Sequence, residues 1–334
     1  MRAWQIQSPE GIDGLKLAEV DLPDPGPGEL QVRLRASSIN YRDLSVVSNP
    51  AARSIALPRI PNSDGAGEVV AVGPEVTGFA PGERVAGCFF ADWVDGPCNA
   101  EAMATARGGE IDGLLAEQAN VPAGSVVKIP DHLSFAEAAT LPCAALTAWR
   151  ALVDVGRLKA GDTVLLLGTG GVSIFALQFA TLMGARAIIT SSSDEKLARA
   201  KALGAWQTVN YRATPDWENP VLEMTGGRGV DVTVEVGGPG TLAKSLAATR
   251  IAGTVGLIGV LTGGEINPTV VMRKSITLQG IYVGPRRAFQ DMNRAIAVAE
   301  LRPVIDRTFA FEEAPEAYRA MKAAGHFGKL VVEI

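Results

Sequence analysis

The stretch Val164-Leu165-Leu166-Leu167-Gly168-Thr169-Gly170-Gly171-Val172-Ser173 decides the reading of this chain. Four apolar residues in succession suit a strand buried on both faces of a parallel sheet. The glycines after them permit a tight turn and bring backbone N–H groups close to a pyrophosphate at a helix start. Phe175, Ala176, Leu177, Phe179 and Ala180 then continue as an apolar helical stretch. Strand, glycine turn and helix in that order make Gly168, Gly170, Gly171 and Val172 candidate dinucleotide-binding residues. Ser173 replaces the third glycine of the full pattern and is still small enough for close helix–strand contact. The competing reading is an ordinary glycine-rich turn.

Working outward, residues 187–190, 232–236 and 254–259 form further short apolar runs separated by helical stretches. Strands alternating with helices predict βαβ units and a parallel sheet, hence an α/β fold. The first third differs. Residues 30–36 alternate apolar and polar, residues 67–73 form an apolar run between glycines, and Pro23, Pro25, Gly26, Pro27, Gly28, Pro81 and Gly82 punctuate it. Short strands with such turns predict an antiparallel barrel or sandwich. Between these regions residues 136–155 read as helix, with Ser134 and Glu137 at capping-box spacing. Residues 329–334 read as a closing strand.

The chain has 334 residues, enough for two domains at about 150 residues each. A formal net charge of −5 argues against nucleic acid or an anionic membrane as partner. Three cysteines, Cys88, Cys98 and Cys143, make no disulfide framework and fit a reducing compartment. No apolar run is long enough for a membrane span, and the first residues lack the apolar core of a signal peptide. A cytoplasmic protein is expected.

The end of the second parallel strand bears on which dinucleotide binds. An NAD site wants a carboxylate about 20 residues after the first glycine. Here Ser191-Ser192-Ser193 precede Asp194-Glu195-Lys196. Hydroxyls and a lysine at a helix start suit a 2′-phosphate, so NADP(H) is favoured over NAD(H). Ser193 also reads as a plain N-cap, and the two roles are compatible.

These residues, in this order, resemble the medium-chain dehydrogenase/reductase superfamily, and most of all its zinc-free quinone oxidoreductase branch. The segments that carry the resemblance are Ser38-Ile39-Asn40-Tyr41-Arg42-Asp43, the glycine-rich run 61–70, Leu141-Pro142-Cys143-Ala144-Ala145-Leu146-Thr147-Ala148-Trp149, and Gly325-His326-Phe327-Gly328-Lys329-Leu330-Val331. It implies a GroES-like β-barrel catalytic domain from residues 1–126 and 285–334, a Rossmann domain from residues 127–284, cofactor and substrate in the cleft between them, and a homodimer. It further implies that Ser192, Ser193, Lys196 and Tyr211 meet the adenosine phosphate, that Ile258, Gly259 and Val283 pass by the nicotinamide, and that Thr147 and Lys329 are cofactor residues. Tyr211 reads equally as a strand-end tyrosine with an apolar body and a wet tip. Thr147 reads also as a helix threonine bonding its own backbone.

Zinc-using relatives place Cys, His–Glu and Cys where this chain has Asn40, Ser63-Asp64 and Cys143. Three competent protein ligands are the usual minimum for catalytic zinc, so no zinc is expected. Without a Lewis acid, hydride delivery to a quinone or an activated alkene is easier than to a simple carbonyl, since the developing anion needs only hydrogen bonds and a proton. Asn40, Tyr41 and Asp64 are the candidate catalytic residues, with Arg42 a candidate partner of Asp64. Asp43, Phe90, Trp93 and Cys143 are candidate substrate-pocket residues, Cys143 reading more simply as a small hydrophobe and the aromatics as loop packing. Arg286 and Arg287 read as a solvated pair or an anion contact. The implied protein is an NADPH-dependent reductase of a small electrophilic molecule. The competing functions are an NAD(P)-dependent alcohol dehydrogenase and a nucleotide-binding sensor without turnover.

Overall fold

The computed structural model describes residues 1–334. Its strands, in chain order, are β1 (Arg2–Ile6), β2 (Leu15–Glu19), β3 (Glu29–Ile39), β4 (Asp64–Val72), β5 (Arg84–Gly87), β6 (Gln118–Pro122), β7 (Val126–Lys128), β8 (Thr163–Leu166), β9 (Arg186–Ser191), β10 (Gln207–Asn210), β11 (Val230–Glu235), β12 (Thr249–Leu257), β13 (Thr277–Gly280), β14 (Ile305–Ala310) and β15 (Lys329–Glu333). By internal contacts the chain divides into one unit of Met1–Leu146 with Val283–Ile334 and a second of Thr147–Tyr282. The first border lies at residue 146 rather than the expected 126. The reason is packing: β7 pairs with β5, and the short helix Phe135–Ala138 packs on β3 and β4.

In the first unit a mainly antiparallel sheet runs β14-β15-β3-β4-β5-β7, with β6 also on β3, and β1 pairs with β2. The alternation read in residues 30–36 appears as β3, where Leu30, Val32 and Leu34 are buried against Val69, Val85 and Val121, and Ala36 is buried too. A second apolar cluster joins Trp4, Ile39, Val46 and Val47 to Tyr318 and Met321 on the helix Ala314–Ala323. Inward alternation along one strand face supplies such a core without apolar continuity.

In the second unit six strands are all parallel, in the order β10-β9-β8-β11-β12-β13. Every residue of β8 and of β11 is buried, as the apolar run of β8 predicted; in β11 the valines alternate with Asp231, Thr233 and Glu235, which are buried as well. The chain leaves β8 to build β9 and β10 on one side, then crosses to β11 on the other. The carboxyl ends of β8 and β11 therefore diverge at a switch point, where open α/β sheets bind ligands.

The helical stretch expected at 136–155 is not one regular helix. Ser134 caps Phe135–Ala138 with the expected reciprocal box: its hydroxyl accepts from the Glu137 N–H at 3.1 Å, and the Glu137 carboxylate accepts from the Ser134 N–H at 2.8 Å. Wide π turns follow at Leu141–Ala145 and Arg150–Val155, flanking Leu146–Trp149. Pro142 lacks the N–H that a regular α-turn needs, consistent with the first irregularity.

Candidate active site

In the second unit the turn after β8 has the geometry the glycines were read for. Gly168 takes φ +71°, open to glycine but rarely to other residues, and its N–H donates to Thr190 Oγ1 at 3.3 Å. A Cβ built on Gly168 or on Gly170 meets nothing within 4 Å, so the turn faces open space rather than protein. Gly170 then caps the helix Gly171–Leu182 without a side chain, leaving the first N–H groups of that helix unengaged by a capping side chain. Ser173 does more than stay small: its hydroxyl donates to Leu167 O at 2.6 Å and ties the helix to the strand end.

The adjoining strand ends bring the serines and Tyr211 together. β10 pairs with β9 so that Asn210 lies opposite Ser191, and the Tyr211 N–H donates to Ser191 O at 3.1 Å. Ser193 caps the helix Asp194–Ala202, accepting from the Lys196 N–H at 3.3 Å, while Ser192 and Tyr211 retain solvent access. The N-cap reading of Ser193 thus holds, and its hydroxyl stays at the corner expected to meet the phosphate. Asp194 is engaged by Asn210 Nδ2 at 2.7 Å. Open glycines, helix N–H groups and this hydroxyl corner fit a dinucleotide.

Across the switch point, Glu235 at the end of β11 holds the next loop. Its Oε1 accepts from the N–H of Gly237 at 2.7 Å, that of Gly238 at 3.0 Å and the Thr241 hydroxyl at 2.7 Å, and its Oε2 from Ser245. Its backbone carbonyl accepts from Ile258 and Gly259 at 2.8 and 2.9 Å. Gly259 is required by closeness: a Cβ there would run into the backbone of Val236. Sequence reading missed Glu235; a lone carboxylate ending an apolar strand before two glycines was the available signal. Val283, expected beside the nicotinamide, is buried at φ +53°, a strained conformation for a β-branched residue. No strand runs through residues 282–284. Thr147 is buried.

In the first unit a polar nest lies where β3, β4 and β15 meet. Asn40, Asp43, Asn62, Ser63, Asp64, Ser37, Ser38 and Lys329 are all buried. Asp64 accepts from the hydroxyls of Ser63 at 2.9 Å and Ser38 at 3.1 Å. Asn40 Nδ2 donates to Ser63 Oγ at 3.4 Å. Tyr318 donates to Asn62, which donates to Ser37 Oγ at 2.9 Å. Burial drives the Asp64 carboxyl up to about 6, with Lys329 pulling the other way and Asp43 adding to the rise. Burial and then Asp64 push the Cys143 thiol well above its ordinary value, which removes a thiolate from the site and favours the small-hydrophobe reading.

Several expected placements change. Asp43 does not line a pocket: fully buried, it accepts from the N–H of Asn40 at 2.9 Å and of Ser63 at 3.1 Å, clamping two loops. Arg42 is not the partner of Asp64; it reaches Glu110 at 2.9 Å, Arg107 O and the face of Phe89. Phe90 and Trp93 are 1% and 3% exposed and pack edge-to-face, with Trp93 Nε1 donating to Gly96 O, so they serve the core under their loop. Lys329 belongs to the nest rather than to the nucleotide turn, its Nζ donating to Ile39 O at 2.9 Å and Asn40 Oδ1 at 2.5 Å. Tyr41, the first residue of its helix, is half exposed and outside the nest's hydrogen bonds. Arg286 is no solvated side chain: its Nε donates to Val126 O at 3.2 Å, while Arg287 pairs with Asp291.

Comparison with known proteins agrees with this geometry. Residues 26–131 match the alcohol dehydrogenase GroES-like domain family and residues 171–298 the zinc-binding dehydrogenase family. A zinc-type alcohol dehydrogenase-like protein of Schizosaccharomyces pombe is 42% identical, over 97% of this chain and 96% of its own. The chain belongs to the medium-chain dehydrogenase/reductase superfamily. It is therefore an oxidoreductase of a family that uses a nicotinamide dinucleotide, with the α/β and GroES-like architecture read from the sequence. Another superfamily member, acryloyl-coenzyme A reductase of Metallosphaera sedula, is 30% identical over 96% of each chain. The solved quinone oxidoreductase of Pseudomonas syringae superposes with a TM-score of 0.85 at 28% identity, covering 100% of this chain and 99% of that one.

The superfamily's zinc does not fit the residues present. Asn40 and Ser63 are poor donors already engaged in hydrogen bonds, which leaves Asp64 and Cys143, and the Lys329 ammonium beside Asn40 opposes a second cation. No group of three His, Cys, Asp or Glu side chains is disposed to hold a metal ion. No helix is long and apolar enough to cross a membrane.

Proposed function

We propose that the protein is a zinc-independent, NADPH-dependent reductase that transfers hydride to a quinone or to an activated alkene or carbonyl. The observation that carries this reading is the nest around Asp64, where hydrogen-bond donors and one lysine stand in place of a metal-ligand set. Acceptors whose own electronics stabilise a developing anion match such a site. Relatives named as a quinone oxidoreductase and an acryloyl-coenzyme A reductase support the same class.

When bound, the dinucleotide supplies the hydride. Gly168, Gly170 and Gly171 cradle its pyrophosphate, and Ser192, Ser193, Lys196 and Tyr211 favour the 2′-phosphate of NADP(H). Ile258, Gly259, Thr147 and Val283 are the backbone and side-chain contacts for the nicotinamide end. Asn40 donates from its amide to the oxygen that gains charge. Asp64, whose Oδ1 accepts from the Ser63 hydroxyl, is the carboxyl group that exchanges a proton with the site. Tyr41, exposed at its helix start, is a second proton donor.

The test is oxidation of NADPH by purified protein with 1,4-benzoquinone, an enone and a saturated aldehyde. Turnover dependent on the first two acceptors, and unaffected by a chelator, is expected. Faster oxidation of simple alcohols with NAD would favour the alcohol dehydrogenase reading, which the relative named zinc-type alcohol dehydrogenase-like supports. Tight binding with no turnover would indicate a sensor. A homodimer through the second unit is part of the proposal: β13 ends its sheet, and Val260, Leu261 and Met272 are 77%, 52% and 69% exposed in that unit. Sedimentation should give twice the chain mass. A cytoplasmic location fits the cysteine usage.

A further inference from the structure

We propose that Lys329 is a positioning residue for the reaction, its buried ammonium, together with the Asn40 and Ser63 it orients, governing when Asp64 gives up its proton. The inference deepens the reductase reading and rests on it only for the reaction served.

The geometry is a directional chain. Gly328 turns at φ +85° and delivers Lys329 into β15, where its side chain is 2% exposed. Both hydrogen bonds described for the ammonium go to neutral oxygens, Ile39 O and Asn40 Oδ1. Because Oδ1 is held by a cation, the Asn40 amide is fixed with its N–H groups turned the other way, toward Ser63. The Ser63 hydroxyl, accepting from Asn40, donates in turn to Asp64 Oδ1. Every donor along Lys329, Asn40, Ser63 and Asp64 points from the cation to the carboxylate. Such an arrangement stabilises ionised Asp64; protonated Asp64 must donate, and a partner must reverse.

A buried ammonium is costly without a counter-charge nearby, and ionised Asp64, favoured by the Lys329 charge and by the hydrogen bonds of Asn40 and Ser63, supplies it. The other charged and titratable groups of the nest do not replace it. On the helix Tyr41–Ser48, Asp43 is held as an acceptor by two backbone N–H groups and opposes ionisation of Asp64, while Arg42 is committed to Glu110 and Asp43. Cys143, on the π turn, and Tyr318, on the helix Ala314–Ala323, are kept neutral by burial. The opposing pulls of burial and of Lys329 leave Asp64 titrating at about 6.

The test is an infrared difference titration of the carboxyl band of Asp64 in the full chain, assigned by its loss in Asp64→Asn. It does not depend on turnover. In Lys329→Met the midpoint is expected to rise by about one to three pH units, and the acidic limb of the kcat profile with NADPH and benzoquinone to move with it. An unchanged midpoint overturns the proposal. Lys329→Gln, which removes the charge while keeping a donor in reach of Ile39 O and Asn40 Oδ1, must also raise the midpoint, so a Lys329→Met variant that fails to fold still leaves a decisive measurement. A raised midpoint in a protein that turns over neither quinone nor enone would sink the reductase reading and leave the role of Lys329 in setting the Asp64 proton intact.

Discussion

The hydroxyl of Ser63 donates to Asp64 Oδ1 at 2.9 Å, and neither residue has exposed surface. A carboxyl in that setting binds its proton more tightly in the folded chain than in the unfolded one, about 6 against 3.8. Between those values the native state holds more protons, so this group's contribution to stability falls as pH rises from about 4 to about 6. Comparing unfolding of the wild type with Asp64→Asn isolates that contribution. The difference in unfolding free energy should change by about 3 kcal/mol across the window, from two pH units at about 1.4 kcal/mol each. A difference that stays flat with pH would show that Asp64 is not the group responsible.

Gly170→Val separates ligand space from folding. The residue has extended backbone at φ −79° and ψ −176°, and a Cβ there touches nothing. Its melting temperature should stay within a few degrees of wild type. NADPH affinity, read by fluorescence titration, should drop by about a hundredfold or more, because the new side chain occupies the room a pyrophosphate needs. Undiminished affinity would place the nucleotide elsewhere.

Lys196→Ala addresses the cofactor's 2′ end. Lys196 lies in the first turn of the helix capped by Ser193, beside the serines and Tyr211. A charge-assisted contact to phosphate is worth roughly 1.5–3 kcal/mol, so NADPH dissociation constants should rise about tenfold or more while those for NADH change little. Equal loss for both cofactors would remove the lysine from that role.

Elemental analysis tests the donor-set argument. Protein grown with zinc and purified without chelator should carry well under one zinc per chain, and chelation should leave activity unchanged. One tightly held zinc per chain would mean that Asp64 and Cys143 recruit a further donor.

Much of the second unit was legible along the chain. The apolar run of β8, bounded by turn glycines, reads as a strand covered on both faces, and Gly168 and Gly170 lie in a turn that faces open space. Ser134 and Glu137 announced their cap because both partners lie within one turn. The barrel-side nest was only half visible. Two adjacent buried serines, Ser37 and Ser38, at the end of an alternating strand were a signal left unread. Asn62 with Tyr318, 256 residues apart, offered none.

The sequence by itself determined the parallel sheet, the glycine turn after its first strand and the absence of a conventional zinc ligand set, since each depends on residue type at short spacing. Only the tertiary structure decided that Lys329 joins Asn40 across 289 residues, that Asp43 clamps loops, and that Phe90 and Trp93 are core. The physical reason is that burial and hydrogen-bond partnership belong to pairs of distant segments. Pattern along one segment reports which face is apolar, and cannot report which distant polar group closes on it.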